Sequence, residues 1–361
     1  MDILLDGAVF EMPLTGVGKA ALLTYTHALE KRPALSVSIL HRKTLQCAIP
    51  QTMSSRQRGT VLPSKWWRRF VLPWSVRRAR PRAVHFPWNG NIPTLPARVK
   101  VITTLHDVLP LTIPNFFKTS EDERQYRERV QSDVERSDLL LTDSEFSKRE
   151  ILKHFNPKTE PYVLYLAATL HGSPTRQRGE AAVPFLLYVG GYDPRKGLDT
   201  LLRIHTALWK EKKTSAKLVL TGSQNYYSAD FKALVAEALA SGAAEERGYV
   251  SDDELAQLLS SALALVYPSR FEGFGLPPLE AMALGCPVIT TQETSLPEVC
   301  GDAALYVRPE NTEEFASALT RICSDADLRH ELSAKGLAQA QKFSWSRTAE
   351  QFLAQYDKLI R

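Results

Sequence analysis

The stretch YPSRFEGFGLPPLEAMALGCPVITTQETSLPEVCGDAALYV, residues 267–307, sets the fold class of this chain. Two glutamates, Glu272 and Glu280, flank a Gly273-Phe274-Gly275 turn and a Pro277-Pro278 entry into a short helix. An apolar run from Leu263 to Tyr267 leads in, and a second run, Pro287 to Thr291, follows. The glutamates therefore fall where a buried strand hands over to a helix. In open α/β sheets that edge is where ligands bind.

Outward from this stretch the same rhythm repeats. Apolar, β-branched runs predict strands at Ile3–Leu5, Val37–Leu40, Ala83–Phe86, Val99–Thr103, Leu139–Thr142 and Tyr162–Leu166. A second series falls at Phe185–Val189, Leu218–Thr221, Gly248–Val250, Leu263–Tyr267, Val288–Thr290 and Ala304–Val307. The runs are continuous rather than alternating, as in strands covered on both faces. Helix starts lie between them. Ser120-x-x-Glu123 and Ser251-x-x-Glu254 read as capping boxes, and Ser144 as the cap of a helix over Glu145–Phe155. Strand and helix alternating twice over predicts an α/β chain with two doubly wound parallel sheets. The expected layout is an N-terminal domain over 1–170, a linker over 171–184, a second domain over 185–344 and a C-terminal helix over 345–361. The linker reading rests on the polar, Gly/Pro/Arg-rich LHGSPTRQRGEAAVP, Leu170 to Pro184, whose alternative is a long loop within one domain.

Composition narrows the class. With 361 residues the chain exceeds one ordinary core, and 44% apolar against 24% charged residues is globular. No run approaches the roughly 18 apolar residues of a membrane span, and the acidic start MDILLDGAVF lacks a basic leader, so a cytoplasmic protein is expected. Cys47, Cys286, Cys300 and Cys323 are scattered, with neither zinc-binding nor disulfide spacing. Charge is uneven: residues 1–165 carry 25 Lys/Arg against 16 Asp/Glu, the remainder 20 against 24. No acidic residue occurs between Lys31 and His106, a window with fifteen basic side chains, densest in KWWRRFVLPWSVRRARPR, Lys65 to Arg82. Trp66, Trp67, Arg68, Arg69, Trp74, Arg77 and Arg78 there read as a surface for an anionic membrane or an acceptor, because interfaces attract both Lys/Arg and Trp. A solvated face is the plain alternative. Nucleic acid is not expected, since no nucleic-acid-binding module surrounds the patch.

Several loops share the carboxyl edge of the expected strands. Gly16 and Gly18, in PLTGVGKAALL, precede a helix running to about Glu30 and can bring backbone N–H groups to an anion. His106 follows a strand directly. Arg195 and Lys196, in YVGGYDPRKGLDTLL, suit diphosphate oxygens. Gly222 opens a Gly-Ser loop after Leu218–Thr221.

Taken in order, the segments TGVGKAALL, LHDVLPLTIP, TDSEFSKREI, YVGGYDPRKGLDTLL, SRFEGFGLPPLEAMALGCPVITT and SLPEVCGDAALYV resemble the retaining glycosyltransferases of family 4, glycosyl transferases group 1, with a mannosyltransferase-like phrasing. The resemblance implies a GT-B fold: two Rossmann-like domains facing a central cleft, with a nucleotide-diphospho-sugar bound between them. By that resemblance Glu280 binds the ribose hydroxyls, and Glu272 lies at the donor sugar. Phe274, Gly275 and Leu276 offer backbone amides to sugar and diphosphate, with Arg195 and Lys196 in the cationic loop. Gly16 and Gly222 join the donor site, Val250 lines the base pocket after a short strand, and His106 lies beside the transferred sugar. Many members carry an arginine directly after the strand glycine. Here Gly191 and Tyr192 stand in its place, and Arg195 or Lys196 supplies the charge.

Transfer from such a donor needs charge stabilisation on the departing diphosphate, which fixed cations and amide dipoles provide without a metal or other cofactor. The expected activity moves a hexose, from GDP-mannose first and a UDP-sugar next, to a hydroxyl of a glycan or lipid-linked acceptor in cell-surface polysaccharide synthesis. The enzyme would work in the cytoplasm or peripherally on the inner membrane face. Two other readings fit the same residues: a nucleotide-sugar epimerase or hydrolase on this fold, and a non-catalytic binder of anionic surfaces or nucleic acid.

Overall fold

A computed structural model describes residues 1–59, 62–88, 91–170, 172, 184–224 and 226–361. The chain divides into two compact units, one made of Met1–Leu166 with Ser344–Arg361, the other of Ala167–Phe343. The expected linker over 171–184 lies almost wholly outside the described residues.

The first unit is built on a seven-stranded parallel sheet. Its strands are β1 Ile3–Asp6, β2 Val37–His41, β3 Ser54–Gln57, β4 Ala83–Phe86, β5 Lys100–Thr104, β6 Leu139–Thr142 and β7 Tyr162–Val163, in the spatial order β3-β2-β1-β4-β5-β6-β7. The second unit has a six-stranded parallel sheet: β8 Phe185–Val189, β9 Lys217–Thr221, β10 Ala244–Gly248, β11 Leu265–Tyr267, β12 Val288–Thr291 and β13 Ala304–Val307, ordered β10-β9-β8-β11-β12-β13. Strands and helices alternate in both, so each sheet is covered by helices and its central strands are buried throughout. This is the doubly wound α/β architecture that continuous apolar runs imply. In the second unit Leu186, Leu218, Val266 and Ile289 from the sheet pack with Leu201, Val235 and Phe315 from helices. In the first, Ile3, Leu5, Ile39 and Ile102 join Tyr25 and, from the far end of the chain, Phe352 and Tyr356.

Several local expectations need correction. β3 was not expected. Its four residues, Ser54 to Gln57, are all exposed, so no apolar run marks this edge strand. β10 covers Ala244–Gly248 instead of Gly248–Val250, because its sequence AEERG is that of a polar edge. The seventh strand ends at Val163. The helix Ser120–Arg136 is capped by Thr119 with Asp122, one residue before the expected Ser120 and Glu123. Both neighbouring pairs carry the right groups, and geometry favours the earlier one. Ser144 and Ser251 cap the helices Glu145–His154 and Asp252–Ser261 as expected, each accepting the N–H three residues on. The helix Gly16–Lys31 begins at Gly16, with Thr15 as its N-cap, so the two glycines lie within its first turn rather than before it. Among the described residues, no helix is long and apolar enough to cross a membrane.

Candidate active site

In the second unit the connections run outward from β8 in one direction and from β11 in the other, so the strand order reverses between these two neighbours. Ligands of doubly wound sheets bind at the carboxyl ends of the strands flanking such a switch point. The loop after β8 carries Arg195 and Lys196, and the loop after β11 carries Glu272. Here they meet. Lys196 Nζ donates to Glu272 Oε1 at 2.5 Å, and the Arg195 guanidinium lies 3.8 Å from Oε2.

Each partner is fixed from behind. Asp193 accepts the Arg195 backbone N–H at 3.0 Å and pairs with its Nε at 3.2 Å, folding residues 194–196 into one tight helical turn. Arg195 Nη1 also donates to the Phe271 carbonyl at 3.1 Å, and the Arg270 N–H donates to the Arg195 carbonyl at 2.8 Å, tying the two loops together. Gly197 ends that turn at φ +67°, and a Cβ there would lie 2.3 Å from the Pro268 carbonyl oxygen. Only glycine permits both the left-handed backbone and this approach. Glu272 Oε1 further accepts the hydroxyls of Tyr267 at 2.7 Å and Ser269 at 2.5 Å. Burial alone would raise the Glu272 carboxyl, but the charges of Lys196 and Arg195 and these hydrogen bonds outweigh it and leave its pKa below the ordinary value.

Beyond Glu272 the backbone turns at Gly275, φ +106°, into the helix Leu276–Ala283. The first N–H groups of a helix have no partner within it. Pro277 and Pro278 lack one, which leaves the amides of Leu276 and Gly275 at this end. Phe274 is buried, and its carbonyl accepts from Ser295 Oγ at 2.8 Å. Glu280, in the last turn of the helix, is buried and accepts the Thr169 hydroxyl at 2.6 Å. Gly222, after β9, presses against the loop after β8: a Cβ there would lie 2.2 Å from the Gly190 carbonyl oxygen. Val250 is half-buried in the loop after β10 and does not belong to a strand.

A cavity of about 800 Å³ opens beside the cations, lined by Gly191, Tyr192, Arg195, Lys196, Ser223 and Tyr227 among others. Tyr192 and Tyr226 both donate their hydroxyls to Glu246 Oε1, at 2.6 and 3.0 Å. The structure thus brings Arg195, Lys196 and Glu272 into contact, sets Gly222 against the same loop, and holds Phe274, Gly275, Leu276 and Glu280 on the continuation of the Glu272 segment.

Gly16 and His106 belong to the first unit. Gly16 is exposed at its helix start. His106 follows β5, and its Nδ1 lies 2.6 Å from Asp143 Oδ2, just past β6. Its Nε2 lies 3.0 Å from the Pro87 carbonyl, an acceptor only, so both ring nitrogens face acceptors. Burial would lower the His106 pKa, but Asp143 and the Pro87 carbonyl raise it to about 8, and the imidazolium is favoured. Behind it His85 bonds Tyr25 at 2.7 Å and Thr104 at 2.9 Å; burial, with the His106 charge, lowers its pKa to about 3.

The basic-aromatic segment is one helical stretch, Ser64–Trp66 and Leu72–Ala79 joined by a π-helical turn, Trp67–Val71. Pro73 explains the wide turn: it cannot donate to the Arg69 carbonyl, and its ring would clash there in a regular helix. The Leu72 N–H instead reaches the Trp67 carbonyl. Trp66, Trp74, Arg69, Arg77 and Arg78 are exposed. Trp67 is not part of that surface. It is 3% exposed, packs with Leu40, Val76 and Phe86, and its indole N–H donates to the Arg58 carbonyl at 2.7 Å. Arg68 points inward to Asp6 at 2.8 Å.

Sequence reasoning missed Tyr267 and Ser269 around Glu272, Glu246 with its two tyrosines, and Asp143 beside His106. For Asp143 a signal existed. Thr104 of β5 pairs with Leu141 of β6, so positions 106 and 143 follow in register at adjacent strand ends.

The glycosyl transferases group 1 family profile matches residues 176–339. Over 99% of its length this chain is 29% identical to the whole of the O-antigen chain mannosyltransferase B of Escherichia coli. It is 30% identical to the O-antigen chain mannosyltransferase RfbU of Salmonella typhimurium, over 63% of this chain and 62% of that one. Among solved structures, the sucrose-phosphate synthase of Thermosynechococcus elongatus superposes with a TM-score of 0.77 at 19% identity, covering 99% of both chains, a likeness of fold.

Proposed function

We propose, from the premise that this chain belongs to the group 1 glycosyltransferases and has the GT-B fold, that it moves mannose from a nucleotide-diphospho-sugar to a hydroxyl of a glycan or lipid-linked acceptor in O-antigen-type polysaccharide assembly, with retention at the transferred carbon. GDP-mannose is the first donor proposed and UDP-sugars the next. The single observation that carries this reading is the Lys196–Glu272 contact at the β8/β11 switch point, 2.5 Å long and backed by Arg195.

Each residue has a part that its surroundings favour. Departure of a nucleoside diphosphate builds negative charge on its oxygens, and cations fixed in advance stabilise that charge without reorganising. Lys196 is fixed by Glu272 and Tyr267, and Arg195 by Asp193 and the Phe271 carbonyl. The Gly275 and Leu276 amides add a positive dipole end. Glu272 itself is a poor proton carrier, because a carboxylate with a depressed pKa is ionised and weakly basic at neutral pH. Three donors on its Oε1 also blunt it as a nucleophile. Its part is to orient Lys196, which favours front-face attack in which the leaving phosphate accepts the acceptor's proton over a carboxylate double displacement. Glu280 is a buried acceptor suited to ribose hydroxyls. His106 is a buried imidazolium at a strand end of the first unit.

Incubating the purified chain with GDP-mannose or a UDP-sugar and a mannose-terminated acceptor, with the product followed by NMR, tests the reading. A glycoside that keeps the donor's anomeric configuration is expected. An inverted product overturns the retaining mechanism, and free sugar without a glycoside points to the hydrolase.

A further inference from the structure

The chain enters the second unit at Ala167, and its first residues there go inside rather than over the surface. Ala167, Thr169 and Leu170 are all buried. A little further on, a Cβ added at Gly172 would lie 2.9 Å from Leu284 Cδ2 and 3.9 Å from the Ala256 Cβ. That close approach lays the segment against the end of the helix Leu276–Ala283, beside the helix Asp252–Ser261. Thr169 is thereby set against Glu280, and its hydroxyl donates to Oε1 at 2.6 Å.

Local preference does not explain this contact. Glu280 lies in the C-terminal half of its helix, where the dipole end is negative and a carboxylate is disfavoured. It is also only 7% exposed, and a buried charge is costly unless donors reach it. The helix cannot supply them, because its N–H groups beyond the first turn are spent on its own carbonyls. Donors must come from elsewhere in the chain, and Thr169 is one. Threonine is β-branched, so its hydroxyl is confined to few rotamers once its backbone is held. The last torsion of a glutamate is broad by comparison. The bond therefore fixes the carboxylate, not the hydroxyl. A carboxylate accepts at about four positions and Thr169 takes one, so a ribose diol with its two donors is not displaced by count.

We propose that Thr169 is a positioning residue for nucleotide binding, whose hydroxyl holds the Glu280 carboxylate in the orientation that receives both ribose hydroxyls. Thr169 has this part only if Glu280 is the ribose acceptor, as proposed above. Its signature is a loss of affinity confined to the diol, which a purely structural threonine would not produce.

The test is calorimetry on the full chain with GDP and UDP, each beside its dideoxy form, which lacks both ribose hydroxyls. Wild type is compared with Thr169→Val, which keeps the shape and loses the hydroxyl, and with Thr169→Ser, which keeps the hydroxyl. Glu280→Ala and the Thr169→Val/Glu280→Ala pair complete the cycle, and thermal melting checks that each variant is folded. Thr169→Val should weaken the ribonucleotide about three- to tenfold and change its dideoxy form by less than about twofold. It should add nothing once Glu280 is gone, because the two residues act as one unit. Thr169→Ser should restore most of the loss. If Glu280→Ala weakens ribonucleotide binding while folded Thr169→Val binds as wild type does, or more tightly, the proposal is overturned and Glu280 keeps its part. An equal loss for both forms of nucleotide, or a loss that persists without Glu280, makes Thr169 structural and also overturns it. If Glu280→Ala binds as wild type does, or wild type binds neither nucleotide, the reading of Glu280 falls and the proposal with it. Should Thr169→Val not fold, Thr169→Ala against Thr169→Ser makes the same comparison.

Discussion

Gly197 couples the stability of the second unit to the geometry of its cations, and Gly197→Ala should damage both. Its φ of +67° costs an alanine about 1–2 kcal/mol. The new Cβ would lie 2.3 Å from the Pro268 carbonyl oxygen, where real Cβ contacts stay above 3.0 Å. The loops after β8 and β11 must therefore part by about 0.7 Å, and overpacking of this kind costs another 1–3 kcal/mol or so. Unlike a flexible side chain, the obstructing atom is backbone and is anchored to the Glu272 segment. That same displacement separates Lys196 from Glu272, and misplacement approaching 1 Å costs on the order of 10²-fold in rate. Gly242→Ala is the matched control. Its φ is +75°, but nothing lies within 4 Å of its Cβ, so it carries the backbone strain alone. Urea unfolding should show Gly197→Ala losing about 2–5 kcal/mol and Gly242→Ala about 1–2 kcal/mol. Sugar transfer should fall tenfold to a hundredfold or so only in the first. If both variants unfold at the same urea concentration and transfer at the wild-type rate, the close approach of the two loops does not position the site.

Glu272→Gln removes the charge opposite a Lys196 side chain that is only 13% exposed, and should cost about 3 kcal/mol by denaturant unfolding. A loss within error of zero would deny the pair any structural part. Glu280→Ala should weaken nucleotide binding about tenfold or more in calorimetry, since a buried acceptor of hydroxyl donors is removed; unchanged affinity takes it out of the site. His106 gives the first unit a signed pH dependence. Its folded pKa of about 8 lies above the ordinary 6.5, so its contribution, about 2 kcal/mol, is complete below pH 6.5 and lost as pH rises through 8. His85 acts oppositely, its pKa depressed to about 3, so stability falls as pH drops below 6.5. Unfolding from pH 5 to 9 should pass through a maximum near 6.5, and His106→Asn should flatten the alkaline side and, by removing the charge that helps to depress His85, soften the acid side to a lesser degree. An unchanged alkaline limb would show that His106 is neutral.

What could be read from the chain depended on whether its neighbours in space were also neighbours in pattern. Central strands such as Leu186–Tyr188 and Val288–Ile289 announce themselves because both faces are buried and both must be apolar. The edge strands β3 and β10 satisfy no such demand, and their polar sequences were unreadable or read out of register. The segment carrying Glu272 and Glu280 was legible because a glycine turn, two prolines and two buried acids lie within one short run. Arg129 and Arg136 were not. They sit on a helix whose polar face looks like any solvated face, and only the sheet order brings them to a cavity of the first unit that Arg68 and Arg77 also line. Trp67 was misread for a related reason: a π-helical turn at Pro73 shifts the helix face in a way that no regular period anticipates.

The helix Trp345–Leu359 has a consequence for synthesis. It packs on the first helix of the chain: Phe352 stands edge-on to Tyr25 at 5.1 Å, Lys31 meets Glu350 at 2.6 Å, and Arg32 grips Asp357 through two bonds of 2.7 Å. On a ribosome the partners of Tyr25 and Arg32 therefore emerge more than three hundred residues after them. Because domains generally fold in the order they are made, the unit that begins first must wait until residues 345–359 have been made. For all that time the helix Gly16–Lys31 carries an apolar face, around Tyr25 and Ala28, that a chaperone must guard or a protease can find.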